Sequence, residues 1–134
     1  MTKQELKQVF YINNELRMWR TELENLESKI EETGKWIDGM PRGSGTSDKV
    51  GNLATELANF KLMIGIKEVE LQIQKNKIIQ YIDSIDDSLI RQIVFYRCVL
   101  CMGWGKVADL IGGEATYHSV RMIFNRHIGG SDED

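Results

Sequence analysis

The sequence predicts an all-α fold, a long antiparallel coiled-coil helical hairpin followed by a compact three-helix unit, on three observations. Proline is nearly absent, Pro41 being the only one, so little interrupts long helices. The first third of the chain holds an unbroken heptad seam. The last third holds three short apolar-periodic segments separated by tight, glycine-bearing connections.

The first helix is expected over residues 2–32. Val9, Ile12, Leu16, Trp19, Leu23, Leu26 and Ile30 step alternately by 3 and 4, the spacing that keeps one face of a helix against a partner. Arg17, Arg20, Glu22, Glu24, Glu27 and Lys29 between them form the solvated faces. Gly34 marks the expected break, and GKWIDGMPRGSG is the one Gly/Pro-rich stretch, giving a connection over residues 33–46. Ser47 and Asp48 offer N-caps for the second helix. Its seam runs Val50, Leu53, Leu57, Phe60, Ile64, Leu71, Ile78 and Ile82, interrupted by Lys67 and Gln74. At about 1.5 Å per residue the helices are expected to be about 45 and 55 Å long. The connection lets them fold back on each other, making residues 1–85 the hairpin.

Helix two carries a second stripe. Leu62, Ile66, Val69 and Ile73 step by 4, 3 and 4, nearly opposite the Leu57/Ile64/Leu71 seam at about 100° per residue. A helix apolar on two faces needs two partners. Helix one is the first. The second is expected to be another copy of the chain, since a two-helix hairpin alone has little core; the alternative is the C-terminal unit folded back. These four residues are the expected interface of a homodimer.

Ser84, Asp86, Asp87 and Ser88 read as a helix boundary, and residues 86–128 as a separate unit of three helices over 89–100, 104–111 and 116–128. The tail, 129–134, is polar and acidic, expected to be disordered. Three short helices with a tight connection before the last describe a helix-turn-helix. In WGKVADLIG, Val107, Leu110 and Ile111 are expected to face the core and Ala108 to admit the next helix closely. Gly112 suits a left-handed helix end, and Thr116 an N-cap for the last helix. There Val120, Ile123, Phe124 and Ile128 point inward, leaving Tyr117, His118, Ser119, Arg121, Met122 and Asn125 on the outer and leading faces.

Residues 91–128 resemble the promoter-reading region 4 of sigma-70-type RNA polymerase factors, and most of all a group of phage and prophage proteins of Gram-positive bacteria that carry such a tail. The resemblance rests on Arg97, Trp104, Val107-Ala108, Ile111-Gly112-Gly113, Thr116, Ser119-Val120-Arg121 and Arg126. The stretch MPRGSGTSDKVGNL, residues 40–53, is similar to one those phage proteins share. The resemblance implies a phage or prophage transcriptional regulator, sigma-like but without the region that melts the -10 element, for which 134 residues leave no room. Its expected partners are double-stranded DNA and, as a second candidate, RNA polymerase, in the cytoplasm of a bacterial host cell. In the usual docking, Tyr117, His118, Ser119, Arg121 and Met122 face base edges, while Lys106, Thr116 and Arg126 meet phosphates, and Asn125 completes the expected DNA-binding set. The chain differs from the common pattern in three respects. Ala108 to Val120 is two residues longer, enlarging the turn; Gly103 stands where a Ser cap is usual; and Gly105-Lys106 replaces an acidic pair.

Charge agrees with a local footprint: residues 88–128 hold five Lys/Arg (Arg91, Arg97, Lys106, Arg121, Arg126) against Asp109 and Glu114, a net of +3 in a chain of net -3. No apolar run reaches the roughly 18 residues of a membrane span, and MTKQELKQVF lacks the features of a signal peptide. The two cysteines cannot build a disulfide framework. Cys98-x-x-Cys101 with His118 and His127 has the wrong spacing for a zinc finger, so no metal is expected. The loop from Gly39 to Gly45 lacks the Lys-Ser/Thr of a phosphate-binding loop. The set Glu22, Glu24, Glu27, Glu31 and Glu32 reads as a solvated helix face. With no nucleophile, base and orienter together, the expectation is a non-enzyme without cofactors. Two other classes compete: a DNA-packaging adaptor of the small-terminase kind, and a coiled-coil interaction module that never touches DNA.

Overall fold

The computed structural model describes the backbone of residues 1–38 and 44–129, with side chains for residues 1–33 and 51–129. Among these residues every regular element is helical: α1 (Lys3–Asp38), α2 (Ser44–Asp83), α3 (Ser88–Val94), continued by a π-helical segment (Phe95–Val99), then α4 (Trp104–Ile111) and α5 (Tyr117–His127). The architecture is the expected helical hairpin followed by a small helical unit. Packing groups the chain into two compact units, one of Met1–Ile12 with Leu71–Asp134 and one of Asn13–Glu70.

Both hairpin helices are longer than the sequence led us to expect. α1 has 36 residues and α2 has 40, so they measure about 54 and 60 Å. α1 continues through Gly34, and a single glycine costs a helix only about 1 kcal/mol relative to alanine. α2 starts at Ser44, leaving Ser47 and Asp48 inside its first turns. Serine, threonine and aspartate all suit a helix start, so the start signal was spread over several adjacent positions. The expected connection 33–46 is therefore helical at both ends, and its middle lies outside the described residues, as does the acidic tail beyond Gly129.

In the Asn13–Glu70 unit, Leu16 and Leu26 of α1 and Ile64 of α2 are buried, with Trp19, Leu23, Ile30, Leu53, Leu57 and Phe60 half-buried around them. The rings of Trp19 and Phe60 lie 5.6 Å apart, and Lys67 Nζ stands 3.4 Å from Glu15. Since the partner's number falls as the α1 number rises, the pairing is antiparallel. Lys67, which breaks the apolar seam, also binds Glu70 at 3.1 Å. Hydrogen bonds to Glu70 and then Glu15 hold its ammonium above the ordinary lysine range. The seam is interrupted where an ion pair replaces an apolar contact.

The other unit holds the larger core. Leu6 and Val9 of α1 and Ile78 of α2 pack with Ile85, Ile93, Val94, Cys98, Val99, Trp104, Val107, Ala108, Val120 and Phe124. Asp87 Oδ1 accepts from the Leu89 N–H at 2.8 Å and caps α3. Arg91 Nη1 donates to the carbonyls of Ile85 (2.6 Å) and Asp86 (3.1 Å), tying down the turn before it. The π segment was not foreseen: the Leu100 N–H reaches Phe95 O at 3.2 Å, one residue further back than in an α-helix. Cys101 follows with φ +57°, the one non-glycine residue at positive φ among those described. Arg97 Nη1 donates to Met102 O at 3.0 Å across this turn.

Candidate nucleic-acid interface

α4, its turn and α5 are set by local chemistry. Gly103 is a cap without a side chain, and the Val107 N–H reaches its carbonyl at 3.0 Å. α4 buries Trp104, Val107 and Ala108, with Ile111 half-buried. Leu110 does not face the core as expected; it is 46% exposed. At about 100° per residue it lies about 110° from the centre of the stripe the other four define. Gly112 ends α4 at φ 77°, ψ -166°, which has the positive φ expected of a helix-ending glycine but not left-handed helical ψ. Gly113 follows at φ +61°. The Ala115 N–H closes the turn on Gly112 O at 3.2 Å.

Thr116 is the N-cap of α5, through a reciprocal box. The Ser119 N–H donates to Thr116 Oγ1 at 3.1 Å, and the Thr116 N–H donates to Ser119 Oγ at 2.9 Å. Ser119 Oγ in turn donates to Thr116 O at 3.1 Å. Val120 and Phe124 are buried and Ile123 half-buried, so the inner arc of α5 is apolar. Trp104 and Phe124 meet edge to face at 5.2 Å, and the Arg97 guanidinium lies 4.4 Å above the Trp104 ring. α4 and α5 are thereby held together by an aromatic pair capped by a cation.

Opposite that arc stand Tyr117, His118, Arg121, Met122 and Asn125, spanning about 140° at about 100° per residue. Tyr117, His118 and Met122 are exposed, and Arg121 and Asn125 half-buried. Arg126, exposed, lies at the edge of the arc, and Lys106 is exposed on α4. Ser119 departs from this set, because its position on the helix is nearer the inner arc and its hydroxyl is engaged with Thr116. Thr116, exposed, keeps its place at the leading end, but its oxygen already accepts from Ser119. Asn125 Oδ1 is buried with no hydrogen-bond partner among the described residues.

Several supporting residues had no clear mark in the sequence. Tyr81 of α2 shares a 2.7 Å hydrogen bond with His127 Nε2 at the end of α5, and burial raises its hydroxyl pKa above the usual value. Two lone residues so far apart in sequence carry no spacing that announces such a pair. Cys98 is buried, and its thiol is pushed up to about 12 by desolvation. Among the described residues no three His, Cys, Asp or Glu side chains converge as a metal site would need, and no helix is long and apolar enough to cross a membrane.

The second stripe of α2 is uncovered in the single chain: Leu62 is 66%, Ile66 59%, Val69 62% and Ile73 49% exposed. Around Gly65, residues Lys61, Leu62, Ile66 and Val69 line an open groove of about 420 Å3. No known protein family, curated protein or solved structure matches the chain.

Proposed function

We propose that the chain is a DNA-binding transcriptional regulator of a phage or prophage, sigma-like without being a complete sigma factor, and not an enzyme. The observation that carries this reading is the outer arc of α5, Tyr117, His118, Arg121, Met122 and Asn125, presented by a capped helix that is locked to α4 on its other side. An α-helix of this kind fits the major groove. Arg121 is the residue suited to a guanine edge, and Lys106 and Arg126 to phosphates. The resemblance of residues 91–128 to sigma region 4 supports the same reading and brings RNA polymerase in as a second partner, in a bacterial cytoplasm.

The partner across the exposed α2 stripe is, in this reading, a second copy of the chain. Dimeric helix-turn-helix proteins read two half-sites about one helical turn apart, and four exposed aliphatic side chains on one helix face are chemically their own complement. A ring-sized oligomer would instead favour the packaging-adaptor reading.

The test is fluorescence anisotropy with duplex fragments of the genome surrounding the gene, comparing wild type with Arg121→Ala. One fragment should bind more tightly than the others. The substitution should cost about 1–3 kcal/mol on that fragment and little on the rest. Binding that is absent, or indifferent to Arg121, removes the regulator reading.

A further inference from the structure

A pocket of about 180 Å3 opens where the first turns of α1 meet the π segment, α4 and α5. Four aromatic side chains border it, Phe10 and Tyr11 from α1, Trp104 from α4 and Phe124 from α5. Its lining also includes Lys3, Lys7 and Arg97, and contains no aspartate or glutamate. The proposed DNA-reading face uses none of these residues.

Size, walls and charge restrict what fits. A cavity of about 150 Å3 with apolar walls accepts benzene, so one aromatic ring is within range. Trp104 and Phe124 offer edge and face at 5.2 Å from each other, and aromatic groups favour such offset contacts. Phe10 and Tyr11 are about half exposed, at 48% and 54%, which leaves ring surface for a ligand to cover. Arg97 is held in place by its stack on Trp104 and its bond from Nη1 to Met102 O. A guanidinium carries five N–H donors in a fixed fork suited to a carboxylate.

We propose that this pocket binds a small carboxylate carried on a single aromatic ring, with the ring among the four aromatic side chains and the carboxylate facing Lys3, Lys7 and Arg97. Such a ligand would bridge α1 to the residues that hold α4 against α5. Binding itself is independent of whether α5 reads DNA, so the two proposals stand or fall separately.

The test uses the full chain with Trp19→Phe and Trp36→Phe, leaving Trp104 as the only tryptophan. Its emission is followed on titration with phenylacetate and 3-phenylpropionate, with benzyl alcohol supplying ring without charge and acetate supplying charge without ring. The aryl carboxylates should saturate below about 1 mM, and the alcohol and acetate should bind about tenfold more weakly or worse. Lys3→Ser with Lys7→Ser should weaken the aryl carboxylates about fivefold or more and leave benzyl alcohol unchanged, a contrast that mere loss of packing would not produce. Thermal shift of the wild-type chain with the same four compounds gives an independent readout should the tryptophan variant fold poorly. The proposal is overturned if neither method shows saturable aryl carboxylate binding up to about 10 mM, if benzyl alcohol binds as well, or if only an acidic aromatic peptide binds.

Discussion

Thr116 and Ser119 close the start of α5 on each other, and that settles what their hydroxyls can offer a ligand. Ser119 Oγ both accepts from the Thr116 N–H and donates to Thr116 O, whereas Thr116 Oγ1 accepts from the Ser119 N–H, which leaves its own O–H as a donor. Thr116→Ala should destabilise the fold by about 1 kcal/mol, and Thr116→Ser should recover most of that, as read from urea midpoints. The sequence showed Thr116 as a cap but not Ser119 as its partner, because the familiar box has Glu or Gln at that place. Cys98 makes a second claim at this scale. Its thiol is held up to about 12 in the folded chain, against about 9.0 when exposed, so the folded state keeps a proton that the unfolded state releases. The stability this contributes is intact below about pH 9 and declines as the pH rises towards 12, by up to about 1.4 kcal/mol per unit. Urea midpoints between pH 8 and 10.5 should fall more steeply for wild type than for Cys98→Ala; equal slopes would contradict the burial argument.

Elements were legible where periodicity was long and turn chemistry strong. The step of 3 and 4 from Val9 to Ile30 found α1, and the glycines at 103, 112 and 113 bracketed α4 correctly. Where several weak signals competed, boundaries slipped: Gly34 suggested an end that neighbouring helix formers override, and Ser44, Ser47 and Asp48 all suit a start. The π segment was missed because Phe95 and Tyr96 fill the interval between Ile93-Val94 and Cys98-Val99, so their five-residue spacing did not stand out within a dense apolar run. The outer arc of α5 was legible, since one period separates it from Val120 and Phe124. The stripe on α2 is the element whose partner matters most. Ile66→Glu should leave helicity nearly unchanged, because Ile66 is 59% exposed in the single chain, while converting a dimer to monomer by light scattering and lowering the thermal midpoint by the stability that dimerisation supplies. A wild-type chain that is monomeric at micromolar concentration would remove the dimer.

Charge is uneven over the whole molecule. Residues 88–128 carry +3 within a chain of -3, so the remainder carries -6. A local positive surplus of this kind attracts a polyanion to that part of the chain. If Lys106 and Arg126 meet phosphates as proposed, log affinity for DNA should fall against log salt with a slope of about -2 per bound chain. Arg126→Ala should reduce that slope by about 1 and weaken all sequences alike. A slope near zero would mean that the positive residues of this unit do not meet phosphates.

The wide turn from Phe95 to Val99 has a further consequence. A π turn holds one residue more than the α-helix around it requires. Here the surplus is absorbed at once, by the Leu100 bond back to Phe95 and by Cys101 at φ +57°. Removing one residue from α3, outside this segment, would turn everything before it by about 100° relative to everything after it. Either the side chains of α3 or Cys98 and Val99 would then leave the core. The reading frame of this helix is therefore locked in place by the packing on both sides of the surplus residue, and length changes should be tolerated in the turn after Gly112 far better than in α3.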